Sequence, residues 1–233
     1  MIKNKKILIS LSAIFLLIEI QLSYIIQTSP GSYNIQFFAI VLACLFCFLF
    51  IEKSKSYIFT QVALICTVCA DSFLIFPDRQ KQLFGMIFFS GTQIAYFLRI
   101  FFEEKNPKIR KIHLIIRTSA SIIIVLATCV VLGAKTDALS LVSMFYYTNL
   151  ILNIAFSFVM FKSAYILAIG LVFFAICDTF IGFANIGPYM NISQSSLIYK
   201  LLYSGIDIAW VFYVPSQMLL AISLLSQKIK KRV

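Results

Sequence analysis

The chain alternates long apolar runs with short polar gaps, and the runs have the length of membrane spans. In order they predict eight helices, at about 7–26, 35–51, 57–76, 83–101, 112–132, 138–161, 164–185 and 201–225. At a rise of 1.5 Å per residue, about 20 apolar residues cover the ~30 Å hydrocarbon core of a bilayer. Turn formers fill the gaps: Pro30-Gly31 in the first, Pro77-Asp78-Arg79 after the third run, Gly133 to Asp137 after the fifth, and Gly187-Pro188 before the last. Lys3, Lys5 and Lys6 precede the first run as in a signal peptide. No small-x-small cleavage site follows, so that run is expected to stay as the first helix. The predicted fold is all-α, a polytopic membrane bundle of eight transmembrane helices forming a single transmembrane domain over 1–233.

Polar residues inside these runs are the informative exceptions. The seventh helix reads ILAIGLVFFAICDTFIGFANI and carries Asp178 well inside it. A near-copy, ALICTVCADSFLIF, lies in the third helix and carries Asp71. An ionised side chain within the membrane costs several kcal/mol unless it is paired or wet, so two such residues mark the expected site of chemistry. The copies are four spans apart and would run parallel. That suggests a parallel four-plus-four repeat with its axis along the membrane normal. Helix 4 adds Gly85, Gln93 and Tyr96, and helix 8 adds Asp207, Trp210, Tyr213 and Gln217 around Pro215. Helix 6 is unusually polar, with Tyr146, Tyr147, Thr148, Asn149 and Asn153. Gly170 and Gly182 flank Asp178 and would permit close helix approach.

Composition agrees with the pattern: 61% of the 233 residues are hydrophobic and 12% charged, against about 45–50% and 25% in soluble domains. The net charge of +11 does not point to nucleic acid, because the basic residues sit in the gaps between spans. The two termini and the even-numbered loops, with adjoining Arg99 and Arg117, hold 16 of the 20 Lys and Arg; Arg79, Lys81, Lys135 and Lys200 are the other four. The positive-inside rule therefore predicts a multi-pass cell-membrane protein with both termini cytoplasmic. In that orientation Glu19, Asp71, Asp178 and Asp207 fall near the outer ends of their helices and imply a polar cavity in the outer half of the bilayer. Cys44-x-x-Cys47 and Cys66-x-x-Cys69 have the spacing of zinc half-sites, but they lie in apolar runs and the one histidine, His113, is placed in a basic loop. They read as helix-packing residues, with no metal and no cofactor expected.

Taken together, these residues resemble the YhhN family of integral membrane proteins, whose characterised animal members are lysoplasmalogenases. The family has an aspartate in each of two similar helices, in patterns like G-D-x-x-L and F-x-x-S-D-x-x-L. Here these read Ala70-Asp71-Ser72-Phe73-Leu74 and Phe174-Ala175-Ile176-Cys177-Asp178-Thr179-Phe180-Ile181. A fourth-helix pattern G-x-x-x-F-x-x-G-H-x-x-Y is approximated by Gly85, Phe88, Gln93 and Tyr96, and Y-x-x-A-Q by Tyr213-Val214-Pro215-Ser216-Gln217. Gln93 stands in place of a histidine, Ala70 of a glycine and Cys177 of a serine. An amide does not carry a proton at neutral pH.

The resemblance implies a hydrolase that cleaves the vinyl ether of a lysophospholipid or ether-lipid substrate. Asp71 and Asp178 would be its catalytic acid and base, and Gln93, Tyr96, Asp207, Tyr213 and Gln217 would line the substrate site. Arg79 and Lys81 are candidates to meet the lipid phosphate. Intramembrane acids also build proton relays, so a small proton-coupled transporter or a non-enzymatic lipid-binding protein are the alternatives.

Overall fold

In a computed structural model of the chain, residues 5–29, 31–49, 54–76, 81–159, 161–186, 193 and 195–230 are described, and every regular element among them is helical. The helices are α1 (Lys5–Thr28), α2 (Tyr33–Phe48), α3 (Lys55–Leu74), α4 (Gln82–Glu103), α5 (Pro107–Leu132), α6 (Ala138–Val159), α7 (Phe161–Ile186), α8 (Leu197–Leu202) and α9 (Ile208–Lys230). Six segments are long and apolar enough to cross a membrane, and Tyr33–Phe48 and Ile208–Leu224 are shorter apolar helices. A helix is the expected form, because it satisfies all its internal backbone groups without water.

Local chemistry sets the ends. Asn106 accepts the Lys108 N–H at 2.9 Å, with Pro107 at the first helical position of α5. Asp137 Oδ1 accepts the Ser140 N–H at 2.7 Å, and Ser140 Oγ accepts the Asp137 N–H at 3.2 Å, a reciprocal cap at the start of α6. This exposed aspartate is held below its ordinary carboxylate range by the Ser140 hydrogen bonds.

The helices pack as antiparallel pairs, α3 on α4 and α7 on α9, with α4 against α6 joining the two. α5 lies outside α6, α2 lies against α3 and α9, and α1 lies against α2 and α9. Gly85 lets α4 press on α3, since a Cβ there would stand 2.5 Å from Leu74 Cγ. Gly170 does the same for α7 on α9, where a Cβ would meet Leu220 at 3.0 Å. Arg99 ties three helices at one end of the bundle. Its guanidinium donates to Thr60 Oγ1 at 2.9 Å, Ser223 Oγ at 2.6 Å and Glu103 Oε1 at 3.1 Å.

The sequence reading needs three corrections here. The last run is not one helix from Leu201: α8 ends at Leu202, the chain turns through Gly205 at φ +79°, and α9 starts at Ile208. Asp207 is thereby moved out of the span to the start of α9, where it is exposed and its Oδ1 faces the Trp210 N–H at 3.4 Å. His113 is not in a loop. Because α5 begins at the Asn106 cap, His113 lies inside the helix and is buried. Gly182 has nothing within 4 Å of a built Cβ, so only Gly170 of the pair serves close approach.

Candidate functional site

Asp71 and Asp178 are each held by a tyrosine from another helix. Tyr213, on α9, donates its hydroxyl to Asp71 Oδ2 at 2.6 Å. Tyr146, on α6, donates to Asp178 Oδ2. Between the pairs stands Phe174, one helical turn before Asp178 and fully buried. Its ring centroid lies 5.6 Å from that of Tyr213, 6.4 Å from Tyr146 and 5.7 Å from Phe89. The two carboxyl–tyrosine pairs thus meet through Phe174 and form one candidate site, an aromatic chamber walled by residues of α3, α4, α6, α7 and α9.

The carboxyls differ in access. Asp71 is 3% exposed, whereas Asp178 is partly exposed. Beside Asp178, Tyr147 Oη and Thr179 Oγ1 lie 2.9 Å apart, a second bond between α6 and α7. Trp210 packs edge-on to Tyr213 with centroids 5.2 Å apart, so the start of α9 carries aromatic rings over the Asp71 pair. No basic side chain contacts either carboxyl among the described residues, and the ion pair found among them joins Arg99 to Glu103.

The other residues singled out from the sequence divide by depth. Tyr213 is in the site. Gln217, one turn further along α9, is fully buried; its Nε2 donates to Ser216 Oγ at 3.2 Å, and its Oε1 makes no hydrogen bond among the described residues. Gln93 is one turn along α4 from Phe89. Its backbone carbonyl and its Oε1 accept from Asn153 Nδ2 at 2.9 and 3.0 Å, and its Nε2 has no hydrogen-bond partner among the described residues. Tyr96 lies deeper again, within electrostatic reach of Arg99, Cys44, Cys47 and Cys66 and away from the carboxyl pair. Asp207 is at the helix start; its N–H and carbonyl are bonded by the Gln27 side chain, both at 3.0 Å, tying α1 to α9. Glu19 is buried on α1, and neither of its carboxyl oxygens has a hydrogen-bond partner among the described residues. Arg79 lies outside the described residues, and Lys81 is an exposed residue just before α4.

Two partners escaped the sequence reading. Tyr146 was visible as part of a polar helix, but nothing along the chain pairs it with Asp178. Phe174 looks like one more phenylalanine in an apolar run. The four cysteines at 44, 47, 66 and 69 lie on α2 and α3, which pack against each other, and all are free thiols. Among the described residues no group of three or more His, Cys, Asp or Glu is placed to hold a metal ion.

Neither the curated proteins nor the solved structures contain a match to the chain. The match is instead to a family model, and it covers residues 32–224, which takes in both aspartate helices, the Gly85–Tyr96 segment and the Tyr213–Gln217 segment. The chain belongs to the YhhN family.

Proposed function

We propose that this protein is a membrane-embedded hydrolase that cleaves the vinyl ether bond of a lysoplasmalogen, giving a fatty aldehyde and a glycerophospho-alcohol. The observation that carries the reading is the geometry of Asp71 and Asp178, two carboxyls each fixed by a tyrosine hydroxyl, with both tyrosines packed against the buried ring of Phe174. Family membership is consistent with it.

The reaction needs one proton donor and one base. A protonated carboxyl transfers its proton to the outer carbon of the C=C–O unit, and the double-bond electrons form that C–H bond. The oxygen lone pair stabilises the resulting oxocarbenium ion. The second carboxyl, ionised, takes a proton from water as the water oxygen bonds to the cationic carbon. The hemiacetal collapses by cleaving the bond from that carbon to the ether oxygen: the second carboxyl returns its proton to that oxygen, which leaves as the alcohol, and the first takes the hydroxyl proton as the aldehyde forms, so both carboxyls regain their starting states. Two neighbouring carboxyls in a dry site divide these roles naturally, and glycoside hydrolysis uses the same cation with the same division. The difference in exposure supports a division in which the more enclosed Asp71 is the acid and Asp178 the base that activates water. Phe174 and Phe89, which pack edge to face beside the tyrosines, would steady the cation through a ring face.

The membrane frame of the proposal has eight spans, with α2 and α9 crossing beside the six longer segments, both termini in the cytoplasm and the carboxyl pair in the outer half. The distribution of Lys and Arg supports that orientation. The repeat is supported by helix contacts. Exchanging α1–α4 for α5, α6, α7 and α9 maps α1–α2 onto α5–α6, α2–α3 onto α6–α7, α3–α4 onto α7–α9, and α4–α6 onto α9–α2, all of which are packed pairs.

The test is to incubate purified protein with a lysoplasmalogen and with its saturated-ether analogue and to assay aldehyde. Release from the vinyl ether alone is expected, lost in Asp71→Asn and in Asp178→Asn with folding retained. Undiminished release in both variants would overturn the proposal. Stable binding of uncleaved lysolipid would reassign the chamber to lipid binding, and substrate flux into proteoliposomes without product would reassign it to transport.

A further inference from the structure

A second buried polar cluster stands apart from the carboxyl pair, and it is cationic. Arg117, on α5, is 7% exposed. Its guanidinium donates to Asn149 Oδ1 and, at 2.7 Å, to Asn153 Oδ1, and it lies 3.1 Å from His113 Nε2. Its carbon stands 4.4 Å from the ring centroid of Phe97, a cation–π contact. All these partners are neutral acceptors or a ring face, Arg117 takes part in no ion pair, and its Nε has no hydrogen-bond partner among the described residues. A buried cation in a membrane bundle without a counter-anion is costly by several kcal/mol.

The same arginine lines a groove of about 510 Å³ between α4, α5 and α6. From Arg117 and Asn149 the groove runs along α5 past Ser121 to Ile122, Val125 and Leu126. Nine residues of helix make that path about 13 Å long. Polar groups gather at one end, and the other end is apolar. Ile94, Ile122 and Leu126 at its rim are 43%, 55% and 60% exposed, so the groove opens on the outer side of the bundle, and neither carboxyl nor its tyrosine lines it.

We propose that this groove binds an anionic amphiphile, with Arg117 taking its phosphate or carboxylate and Ile122, Val125 and Leu126 its acyl chain. The head would lie at Arg117, ten residues or about 15 Å into α5 from Pro107, and the chain would run from there toward Leu132. A lateral opening lets such a molecule enter from the leaflet without crossing a loop. Arg117 supplies charge and a planar donor fork suited to a phosphate or carboxylate.

The test uses the purified full chain, native mass spectrometry and thermal unfolding, with four probes: palmitoyl-lysophosphatidic acid, palmitate, monopalmitoylglycerol and inorganic phosphate. A bound adduct and a raised Tm are expected with one or both anionic amphiphiles, and neither with the neutral lipid nor with phosphate alone. A response to the lysophosphatidic acid only assigns a phosphate head; a response to palmitate only assigns a carboxylate. Arg117→Gln is expected to weaken binding by at least about tenfold, as removal of a buried charge partner does. Ser121→Trp fills the groove, leaves Arg117 and its partners in place, and is expected to do the same. That second variant decides the matter if Arg117→Gln does not fold. Ser121→Trp should leave aldehyde release from a lysoplasmalogen unchanged, which separates this site from the reaction. Equal binding of the neutral lipid, or wild-type binding by folded Arg117→Gln or by Ser121→Trp, overturns the proposal.

Discussion

Tyr213→Phe removes one oxygen from the centre of the chamber and little else. The hydroxyl donates to Asp71 Oδ2 at 2.6 Å, and both residues are almost fully buried. The Phe ring would keep its contacts to Phe174 and Trp210, now at 5.6 and 5.2 Å, so the helix packing has no reason to change. A hydrogen bond to a charged or acidic group in such a place contributes about 1.5–3 kcal/mol. If the tyrosine holds Asp71 in its proton-transfer position, that energy is lost at the barrier. At 1.36 kcal/mol per tenfold, kcat should fall about 10- to 150-fold. KM should move little, because the ring that packs beside the substrate is unchanged. The assay is aldehyde release from a lysoplasmalogen at saturating substrate, with folding checked by gel filtration and Tm. Wild-type kcat in folded Tyr213→Phe would refute the view that this pair acts as a unit.

Further outcomes follow from particular contacts. Gly85→Ala drives a Cβ to 2.5 Å from Leu74 and should destabilise by roughly 1–3 kcal/mol in thermal unfolding; Leu74→Ala in the same chain should recover part of that loss. Asp137 is held below the ordinary value of 3.8 by Ser140, so its stabilisation is present above that pH and lost as pH falls through its folded-state value. Asp137→Asn should therefore differ from wild type in Tm at neutral pH and match its trend once both are acidified. Gln93→Leu removes the Oε1 acceptor of Asn153 but leaves the backbone acceptor at 2.9 Å; kcat is expected to stay within about tenfold of wild type, one lost hydrogen bond's worth, and a 1000-fold loss would place Gln93 among the reacting groups.

The two aspartates were legible because a carboxyl in an apolar run stands out against its neighbours, and duplication made each the other's control. Tyr213 and Gln217 were legible as a helix face. Tyr146 was not, since a 100° periodicity says which residues share a face and nothing about which neighbour that face meets. The errors have physical sources of the same kind. Asp207 was drawn into the last helix because Leu201, Leu202 and Ile206 carry the apolar run across Ser204-Gly205. The Gly-x-Asp order there is a stop followed by a cap, and the observed break uses both. His113 was left in a loop because the charges at Lys108, Arg110 and Lys111 outweighed the Asn106-Pro107 start signal. That signal sets the helix, and the charges lie along its first turns. Arg117 was counted with the loop charges that orient the chain, although it is buried among asparagines inside the bundle.

The substitution at Gln93 gains meaning from this placement. A histidine at that position would stand one turn beyond Phe89, next to Asn153 and not next to either carboxyl. In this chain the imidazole of the region comes from α5 instead: His113 meets Arg117, Arg117 meets Asn153, and Asn153 meets Gln93. Tyr146, Asn149 and Asn153 follow one another on α6 at helical spacing, so one polar face carries Tyr146 to Asp178 at one end and two asparagines to Arg117 at the other. Asp178 and the arginine are thus positioned by the same helix, and the amide at Gln93 serves to hold that helix against α4. An acid and a base are already present in Asp71 and Asp178. On this geometry the proposed reaction needs no third proton carrier, and the role open to residue 93 is to fix the register of α6, which an amide performs as well as an imidazole.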